Sequence, residues 1–466
     1  MSIAFVSNPA ISNMIQDRTL EREFHDVLFP QLLFRGEAMP ELWNANIGER
    51  MVMTRGGLMT PSGTPLVPGA DPTPKSYLTE QWEIECSQYG DSLDTHMPTS
   101  HVALAPTMLL DARTLGLNAG QSMDLLARNK LFVAYQGGNT NASVAALISA
   151  TALNVASING FTQKLLNGRI LPVSASNPIS VTFPGGTAVA NTVIAATPND
   201  PSRPNGPGVL TLGAALSAAV ALRAPVKAGT ASFIQRVGGG TSVDALTSGS
   251  ILTLADIQRA VAILRGANVP PKADGLYHVH LSPAAEYQLM QDNAMQRIYQ
   301  SIPDSIYHRE AVITVQSGCL FLRNNQAPAP TNSGTLVASG TTTGIGAFNS
   351  NQIGADVING NGVNIDRAIV IGGGALYEKY VDEGAFMTDA GVTGKIGEFT
   401  IVNQSIQVMT ERIRYILRAP LDRLQQVIGQ TWSWSGDFGV PTDALGVTLQ
   451  GAPAYRRAVV IEHAGS

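Results

Sequence analysis

Apolar residues recur at helical spacing in one segment near the middle of the chain. They run from Leu254 to Leu264, after Thr253, whose hydroxyl suits a helix N-cap, and Gly266 follows where a helix would end. This pattern predicts a helix over 254–265. The following residues predict a strand over 276–281, a second helix from Ala284 to about Gln300, and strands over 311–315 and 318–325.

Alternating apolar and polar positions predict two strands nearer the N-terminus, at 50–55 and 81–86. From Gly56 to Pro74, the connection between them contains five prolines and four glycines. It is too long for a tight hairpin turn and has no apolar core of its own. Because an isolated two-stranded ribbon is marginally stable in water, we expect this arm to pack on a neighbouring molecule.

The rest of the chain predicts a mixture of helices and short strands. Trp432 and Trp434 fall on one face of the strand predicted at 427–440. The other predicted elements are an amphipathic helix at 17–29, a long helix at 106–135 ended by glycines 137 and 138, short strands at 178–183 and 231–237, a proline-rich loop at 198–207, a loop or hairpin at 327–364, a buried strand at 368–371 followed by a glycine turn, strands within 398–440, and a last strand at 458–462 with no evident partner.

Composition favours a protein whose surface is largely covered by neighbours. Of the 466 residues, 44% are hydrophobic and 14% are charged, against roughly 25% charged in an average soluble protein. The 46 glycines and 27 prolines favour turns and strands over a helical bundle. The net charge of −5 argues against a dedicated nucleic-acid binder, which needs a basic surface to displace counterions, but it is compatible with a container for nucleic acid.

Other features point to a protein made and kept in a reducing cytoplasm. The N-terminus lacks the charged and apolar regions of a signal peptide, and the apolar run at 144–155 is too short to span a bilayer. Cys86 and Cys319 are far apart in the sequence and are expected to be buried as small hydrophobic residues. Adjacent carboxylates and arginines, as at 366–367 and 411–412, predict salt-bridged faces.

Candidate catalytic motifs fail on the partners that their chemistry requires. Gly90-Asp91-Ser92-Leu93, which we expect to end a strand, has the letters of a hydrolase motif, but activating Ser92 would need an Asp-x-x-His pair, which the sequence lacks. His278 and His280 share one strand face without a third metal ligand nearby. The glycines at 372–374 and the segment 391–396 lack the spacing of nucleotide-binding loops. We therefore predict no catalytic, cofactor-binding or metal-binding residues.

Four loose motifs carry a resemblance. Ala255-Asp256-Ile257, His280-Leu281-Ser282-Pro283, Asp292 and the segment 318–324 follow one another as they do in the central domain of major capsid proteins of tailed bacteriophages, in the branch of N4-like podophages. The resemblance implies an α+β, HK97-like capsid fold. It divides the chain into an N-terminal arm (1–47), an E-loop (48–98), a peripheral domain with the spine helix (99–157), a β-rich insertion (158–250), an axial or central domain (251–390), returning strands of the peripheral domain (391–440) and a C-terminal tail (441–466).

The resemblance also implies a function. Such a protein would be a structural, non-enzymatic virion component that assembles into the hexamers and pentamers of an icosahedral shell enclosing phage DNA. Its partners would be copies of itself and, further, portal, scaffolding and decoration proteins, with no membrane and no cofactor. It would be synthesised in the bacterial host cytoplasm. Two alternatives remain open from the sequence, a β-rich carbohydrate-binding protein and a hydrolase that uses Ser92.

Overall fold

The structure is a computed structural model, and it describes only part of the chain. The described residues are 33–43, 48–56, most of 59–77, 79–96, 107–166, 169–183, 191–201, most of 204–240, 242–300, 315–324, 335–336, 342–343, 361–381, 394–396, 399–402, 405–410, 412–418, 423–424, 426–441 and 457–465, with a few single residues between them. The predicted helix at 17–29 and strand residues 311–314 lie outside them, as does most of the loop predicted at 327–364.

Helices and strands both occur, which confirms the α+β class. The helices are α1 (Thr107–Gln136), α2 (Leu254–Gly266), α3 (Pro283–Gln291) and α4 (Asn293–Gln300). The strands are β1 (Met39–Leu42), β2 (Arg50–Gly56), β3 (Thr79–Glu85), β4 (Ser87–His96), β5 (Asn139–Asn141), β6 (Ala152–Val155), β7 (Gln163–Leu166), β8 (Arg169–Pro172), β9 (Ile179–Thr182), β10 (Asn191–Pro198), β11 (Gly208–Leu212), β12 (Pro225–Ala228), β13 (Ile234–Arg236), β14 (Tyr277–Leu281), β15 (Val315–Gln316), β16 (Cys319–Arg323), β17 (Thr335–Leu336), β18 (Thr342–Thr343), β19 (Ile365–Ile371), β20 (Tyr377–Tyr380), β21 (Gly394–Ile396), β22 (Phe399–Val402), β23 (Ser405–Thr410), β24 (Ile413–Arg418), β25 (Val427–Gly439) and β26 (Ala458–Ala464).

The chain divides into two units, and the first comprises Met1–Met51, Glu83–Ala127 and Tyr377–Gly439. Its sheet has the strand order β1-β20-β25-β24-β23-β22-β21, and β4 pairs with β25 along its whole length. The first part of α1 belongs to this unit and buries one face at helical spacing, because every third or fourth residue is apolar. That face consists of Met108, Ala112, Leu115, Ala119 and Met123.

The second unit comprises Val52–Trp82, Arg128–Leu376 and Val440–Ser466 and contains two larger sheets. One has the antiparallel order β5-β12-β9-β10-β11-β6. A bridge from Ala142 to Val155 joins its two ends, so we call it the closed sheet. Alternate residues of its strands point inward and bury an apolar core that includes Leu153, Ile179, Val181 and Leu210.

The other large sheet of this unit has the order β13-β26-β19-β14-β16-β15. Helix α2 packs against β26 and β19, and α3 packs against β14 and β19. Thr253 is the N-cap residue of α2, as predicted, with an extended backbone (φ −122°, ψ 160°). Its amide and hydroxyl both donate to Asp256 Oδ2, at 3.2 and 2.6 Å. The shared core contains Ile257, Leu264, Val279, Leu289, Phe321, Val370 and Ile461.

Three predictions about local structure are wrong. The single helix predicted from Ala284 to Gln300 is two helices, because Asp292 is extended (φ −69°, ψ 126°). Its carboxylate instead accepts bonds from Leu254 N at 2.8 Å and Ala294 N at 3.1 Å, which ties the break to the start of α2. Residues 90–93 do not end a strand but lie inside β4, which continues to His96.

The third error concerns the last strand. The segment 458–462 was expected to lack a partner, yet β26 lies inside the six-stranded sheet, parallel to β13 and antiparallel to β19. All seven of its residues are buried. Its partners come from far earlier in the chain, so local pattern could not reveal them. Strand β26 is therefore paired on both edges and buried on both faces, as an interior strand of the sheet is.

Candidate assembly surfaces

The proline-rich hairpin predicted at the sequence level is present and exposed. Strands β2 and β3 pair as a two-stranded ribbon, which confirms that prediction. Every described residue of the connection between 57 and 77 is exposed to solvent. We call β2, β3 and this connection the arm. Four large apolar side chains on it are between 52% and 69% exposed, namely Val52, Met59, Leu66 and Tyr77, whereas Trp82 and Ile84 on β3 are buried.

The side-chain contacts described within the arm are weak ones. Gln81 Nε2 donates to Thr54 Oγ1 at 3.2 Å on the solvent side. Arg50 Nε lies 3.8 Å from Glu85 Oε1, and both side chains are more than 60% exposed. An exposed ion pair of this kind contributes about 0–1 kcal/mol. Four large apolar side chains of the arm nevertheless remain in solvent, which makes its exposed part a surface suited to a partner.

The second strand of the arm leads into an acidic edge. Residues 79–96 contain five acidic residues and no lysine or arginine. The side chains of Glu83, Glu85, Asp91 and Asp94 are all exposed. Strand β4, which carries two of them, pairs only with β25 among the described strands. Charged side chains protect an edge strand of a monomer from indiscriminate pairing, and they also select a basic partner.

The buried carboxylates of Asp124 and Glu378 bind the segment at residues 34–35 to the rest of the first unit. Asp124 Oδ1, on α1, accepts bonds from the amides of Phe34 and Arg35, the latter at 3.1 Å. Arg35 Nη2 lies 2.6 Å from Glu378 Oε1, and Arg412 Nη1 lies 3.1 Å from Glu378 Oε2. The Glu378 carboxylate therefore joins three segments that are distant in sequence.

Polar contacts also join α1 to the sheet of the first unit. Gln430 Nε2 donates to the carbonyl of Met108 at 3.0 Å, and Trp432 Nε1 donates to Asn118 Oδ1 at 2.9 Å. Tyr415 donates to Gln430 Oε1 at 2.7 Å. Burial, and then the nearby charge of Asp111, raise the pKa of Tyr415, so it stays a donor at any ordinary pH.

A buried carboxylate joins neighbouring strands of the sheet β13-β26-β19-β14-β16-β15 in the second unit. Glu462, on β26, lies 2.8 Å from Arg236 Nε on β13 and 3.2 Å from Arg367 Nε on β19. Burial alone would raise the pKa of Glu462, but the two guanidinium groups outweigh it and lower the pKa. Next to Glu462, His463 is wholly buried, and burial lowers its pKa. These groups lie inside the fold, away from solvent.

Arg367 and Arg412 lie next to carboxylates in the sequence. In the structure each binds a carboxylate that is distant in the sequence instead. Arg367 binds Glu462, and the neighbouring Asp366 accepts a bond of 2.7 Å from Ser282 Oγ. Arg412 binds Glu378. Sequence analysis identified the arginines but missed Asp124, Glu378 and Glu462. An isolated acidic residue inside an apolar run, as in Val460-Ile461-Glu462, was the available signal for a buried ion pair.

The candidate hydrolase residues Ser92 and His96 do not lie within contact distance of each other. Ser92 lies in mid-strand on the exposed side of β4, and His96, four residues along the same strand, is ~13 Å away at the usual strand rise. His96 Nε2 lies instead 3.2 Å from Gln426 Oε1. The surroundings of Ser92 on β4 therefore supply no general base for a hydrolase.

The two candidate histidines have separate partners. His278 Nε2 lies 2.8 Å from Asp274 Oδ2, and the buried His280 Nδ1 lies 3.2 Å from Asn324 Nδ2. Among the residues that the structure describes, no three His, Cys, Asp or Glu side chains form a group that could hold a metal ion. Cys319 is buried, which raises its thiol pKa to about 11, and Cys86 is half-buried. Within the described helices, none is long and apolar enough to cross a membrane.

No protein-family model and no curated protein match the chain. Among solved structures, it is similar to the capsid of Ralstonia phage GP4 over 92% of this chain and 87% of the other, with 12% identity and a TM-score of 0.46. It is similar to the capsid of cyanophage P-SCSP1u over 93% and 89%, with 10% identity and a TM-score of 0.45. It is also similar to the head of Helicobacter pylori bacteriophage KHP40 over 92% and 91%, with 9% identity and a TM-score of 0.44.

Proposed function

We propose that this chain is a major capsid protein of a tailed bacteriophage with an HK97-like fold. Its copies would assemble into hexamers and pentamers of an icosahedral shell that encloses DNA. The observation that carries the proposal is the arm, an extended ribbon with four large apolar side chains in solvent. Its partner in this proposal is another copy of the chain.

The free energy gained by burying the arm's exposed apolar side chains favours a partner for the arm. Trp82 and Ile84 anchor the base of the arm, but no third described strand pairs with β2 and β3, and a two-stranded ribbon of this kind is marginally stable in its exposed part. Covering a large apolar side chain contributes about 1.5–3 kcal/mol, so four of them supply enough to order the arm against a neighbour. The chain's low charged fraction of 14% fits the same conclusion, because a surface covered by neighbours needs few charges for solubility.

The buried networks support a role as a rigid building block. Glu378 and Glu462 each join three segments through arginines, and both are almost fully buried. Such pairs hold strands in register more than they add net stability. A shell repeats one contact many times, so each copy must present its contact surfaces in the same geometry.

The domain boundaries that the resemblance implies are part of this proposal. The E-loop (48–98) would hold β2 to β4, and the peripheral domain (99–157) would hold α1 as the spine helix. The insertion (158–250) would hold β7 to β13, and the axial domain (251–390) would hold α2 to α4 and β14 to β20. The net charge of −5 suits a wall that surrounds DNA without binding it tightly. Portal, scaffolding and decoration proteins would be further partners, and synthesis would take place in the host cytoplasm.

The two alternatives lack support from the residues they would use. A carbohydrate-binding cleft relies on exposed aromatic faces, but Phe161 and Phe183 are the only aromatic residues in the sequence from 139 to 229, and both are buried. A hydrolase would need a base beside Ser92, and the nearest histidine on its strand is directed to Gln426.

Electron microscopy of the purified full chain tests the proposal. We expect closed shells, or rings of five and six copies. The double variant Leu66→Asp/Tyr77→Asp, which makes the arm polar, should leave smaller species while preserving the fold, because both side chains are in solvent. The matched control is Leu424→Asp, since Leu424 is 74% exposed outside the arm. A wild-type chain that stays monomeric at high concentration would overturn the proposal.

A further inference from the structure

Five asparagines in the sequence are followed directly by a glycine. They are Asn159, Asn167, Asn205, Asn359 and Asn361, and the pair that begins at 167 lies outside the described residues. An asparagine before glycine can lose its side-chain amide without an enzyme, because glycine has no Cβ to hinder the approach of its backbone nitrogen to the asparagine Cγ. The reaction needs a side chain that can rotate and a backbone that can bend. Folding therefore decides which of these asparagines can react.

The amide group of Asn359 is held in place by four hydrogen bonds. Its Nδ2 donates to the carbonyls of Val243 at 3.2 Å and Leu246 at 2.8 Å. Its Oδ1 accepts bonds from the backbone amides of Asn361 at 3.0 Å and Val363 at 2.9 Å. The residue is 4% exposed. Because these buried bonds must open before Cγ can reach the next backbone nitrogen, the fold protects Asn359.

Two further pairs are held inside the second unit. Asn159 is 7% exposed, and its Nδ2 donates to the carbonyl of Val133 at 2.6 Å. Gly160, which follows it, is packed so closely that an added Cβ would collide with neighbouring backbone atoms. Gly206, which follows Asn205, is buried, and its carbonyl accepts a backbone hydrogen bond. These two pairs lack the freedom of movement that the reaction requires.

Asn361 is in a different environment. Both Asn361 and Gly362 are exposed to solvent, and an added Cβ at Gly362 would meet no atom within 4 Å. Among the described contacts, the Asn361 side chain makes a single hydrogen bond, from Nδ2 to the carbonyl of Asp244 at 2.8 Å. The amide of Gly362 donates to the carbonyl of Asn359 at 3.0 Å. The reaction at Asn361 therefore has to open two hydrogen bonds of an exposed turn, and no buried network.

We propose that Asn361 is a site of spontaneous deamidation in the folded protein. Solvent base removes the amide proton of Gly362, and the nitrogen attacks Cγ of Asn361. A new N–C bond closes a five-membered succinimide while the Cγ–Nδ2 bond breaks, and Nδ2 takes a proton from water and leaves as ammonia. A water molecule then opens the ring at either carbonyl, which gives aspartate or isoaspartate and one added negative charge. The co-reactant is water, so the reaction depends on the fold of the second unit and not on assembly.

Either product changes the turn that contains Asn361. A carboxylate at pH 7 cannot donate to the carbonyl of Asp244, so the bond of 2.8 Å is lost and oxygen atoms face each other there. Isoaspartate also adds a methylene group to the main chain, which changes the spacing of the two amides that bind Asn359 Oδ1. The contact between the turn at 359–363 and the segment 243–246 should therefore loosen as the protein ages.

The first experiment follows the reaction in the full chain. Folded protein is incubated at mildly alkaline pH in water enriched in oxygen-18, which labels each product, and its peptides are analysed by tandem mass spectrometry. Asn361 should convert about tenfold faster than Asn359 or more, because Asn359 has three more side-chain hydrogen bonds to open.

The same chain unfolded in urea is the control. There all five asparagines should convert at similar rates, because each precedes a glycine and none is restrained. No label at Asn361 of the folded chain, over the time in which the unfolded chain is converted, would overturn the inference. Equal rates at Asn359 and Asn361 in the folded chain would overturn it as well.

The second experiment measures the effect of the product. The variant Asn361→Asp carries the aspartate from the start, and its backbone amides at 243–246 and 359–363 should exchange with deuterium faster than those of the wild type. Asn199→Asp adds the same charge at another exposed position and should leave this exchange unchanged. Asn361→Gln keeps an amide donor and cannot close the five-membered ring, so it should gain no label at 361. Exchange in Asn361→Asp equal to that of Asn199→Asp would contradict the loosening of the turn.

Discussion

Arg367 and Glu462 face each other at paired positions of two antiparallel strands, and Arg367 Nε donates to Glu462 Oε1 at 3.2 Å. Both side chains are 2% exposed. Arg236 binds the other carboxylate oxygen from the opposite side, on a parallel strand. One glutamate thus links three strands that are consecutive in the sheet but far apart in the chain. The two ion pairs help to hold β26 between β13 and β19.

Glu462→Gln should strongly destabilise the second unit. The substitution keeps the shape but leaves two buried guanidinium groups without a counter-charge, and breaking a buried pair costs about 3–5 kcal/mol. Urea unfolding followed by fluorescence measures this loss. Glu286→Gln is the control, because its partner Arg323 is 59% exposed and that pair is worth about 0–1 kcal/mol. Equal effects of the two changes would contradict this account.

Stability should fall as the pH drops below about 6.5, the usual pKa of histidine. His463 has a lowered pKa in the fold because of burial, although Asp366 and Asp256 oppose the shift and Arg367 adds to it. Below pH 6.5 the unfolded chain therefore binds a proton that the folded chain does not. One such group changes the free energy of unfolding by up to about 1.4 kcal/mol per pH unit.

Urea midpoints of the wild type and His463→Gln, taken from pH 8 to pH 5, measure that slope. The variant should have a flatter profile between pH 6.5 and 5.5, whatever its stability at pH 8. Ser92→Ala, which changes an uncharged side chain on the exposed side of β4, should keep the wild-type slope. Identical profiles for wild type and His463→Gln would remove His463 as the cause.

Asp124→Ala should loosen the chain around residue 34. The carboxylate accepts two buried backbone amides, those of Phe34 and Arg35, and each hydrogen bond to a charged group contributes about 1.5–3 kcal/mol. Limited proteolysis should cut near residues 33–43 faster in the variant. Asp91→Ala, on the exposed face of β4, serves as the control and should match the wild type.

Gly138→Ala should destabilise the turn after α1. Gly138 has φ 76°, and an added Cβ would lie 2.8 Å from the backbone Cα of Ala231. Strain and clash together should cost about 2 kcal/mol or more, read as a lower midpoint in thermal unfolding. Gly249→Ala is the control, since its nearest neighbour would be at 3.9 Å and its φ is not positive. A stabilised Gly138 variant would contradict the described turn.

Local pattern predicted the elements whose neighbours lie close in sequence. The spacing of Leu254 to Leu264 and the cap at Thr253 predicted α2, and the glycines at 137 and 138 predicted the end of α1 to within one residue of Gln136. The alternation at 50–55 and 81–86 predicted the arm. Apolar periodicity did not show the break at Asp292, because its cause is a hydrogen bond to the amide of Leu254, which lies 38 residues earlier.

By itself, the sequence determined the α+β class, the proline-rich ribbon arm, and the shortage of charge that favours contact between copies. Only the tertiary structure decided that β26 is central, that Glu378 and Glu462 each join distant segments, and that Val144, Leu147, Ile148 and Leu222 remain in solvent. The physical reason is that periodicity and capping act over a few residues. Strand pairing, buried charge and exposed apolar surface depend on residues that folding brings together from far along the chain.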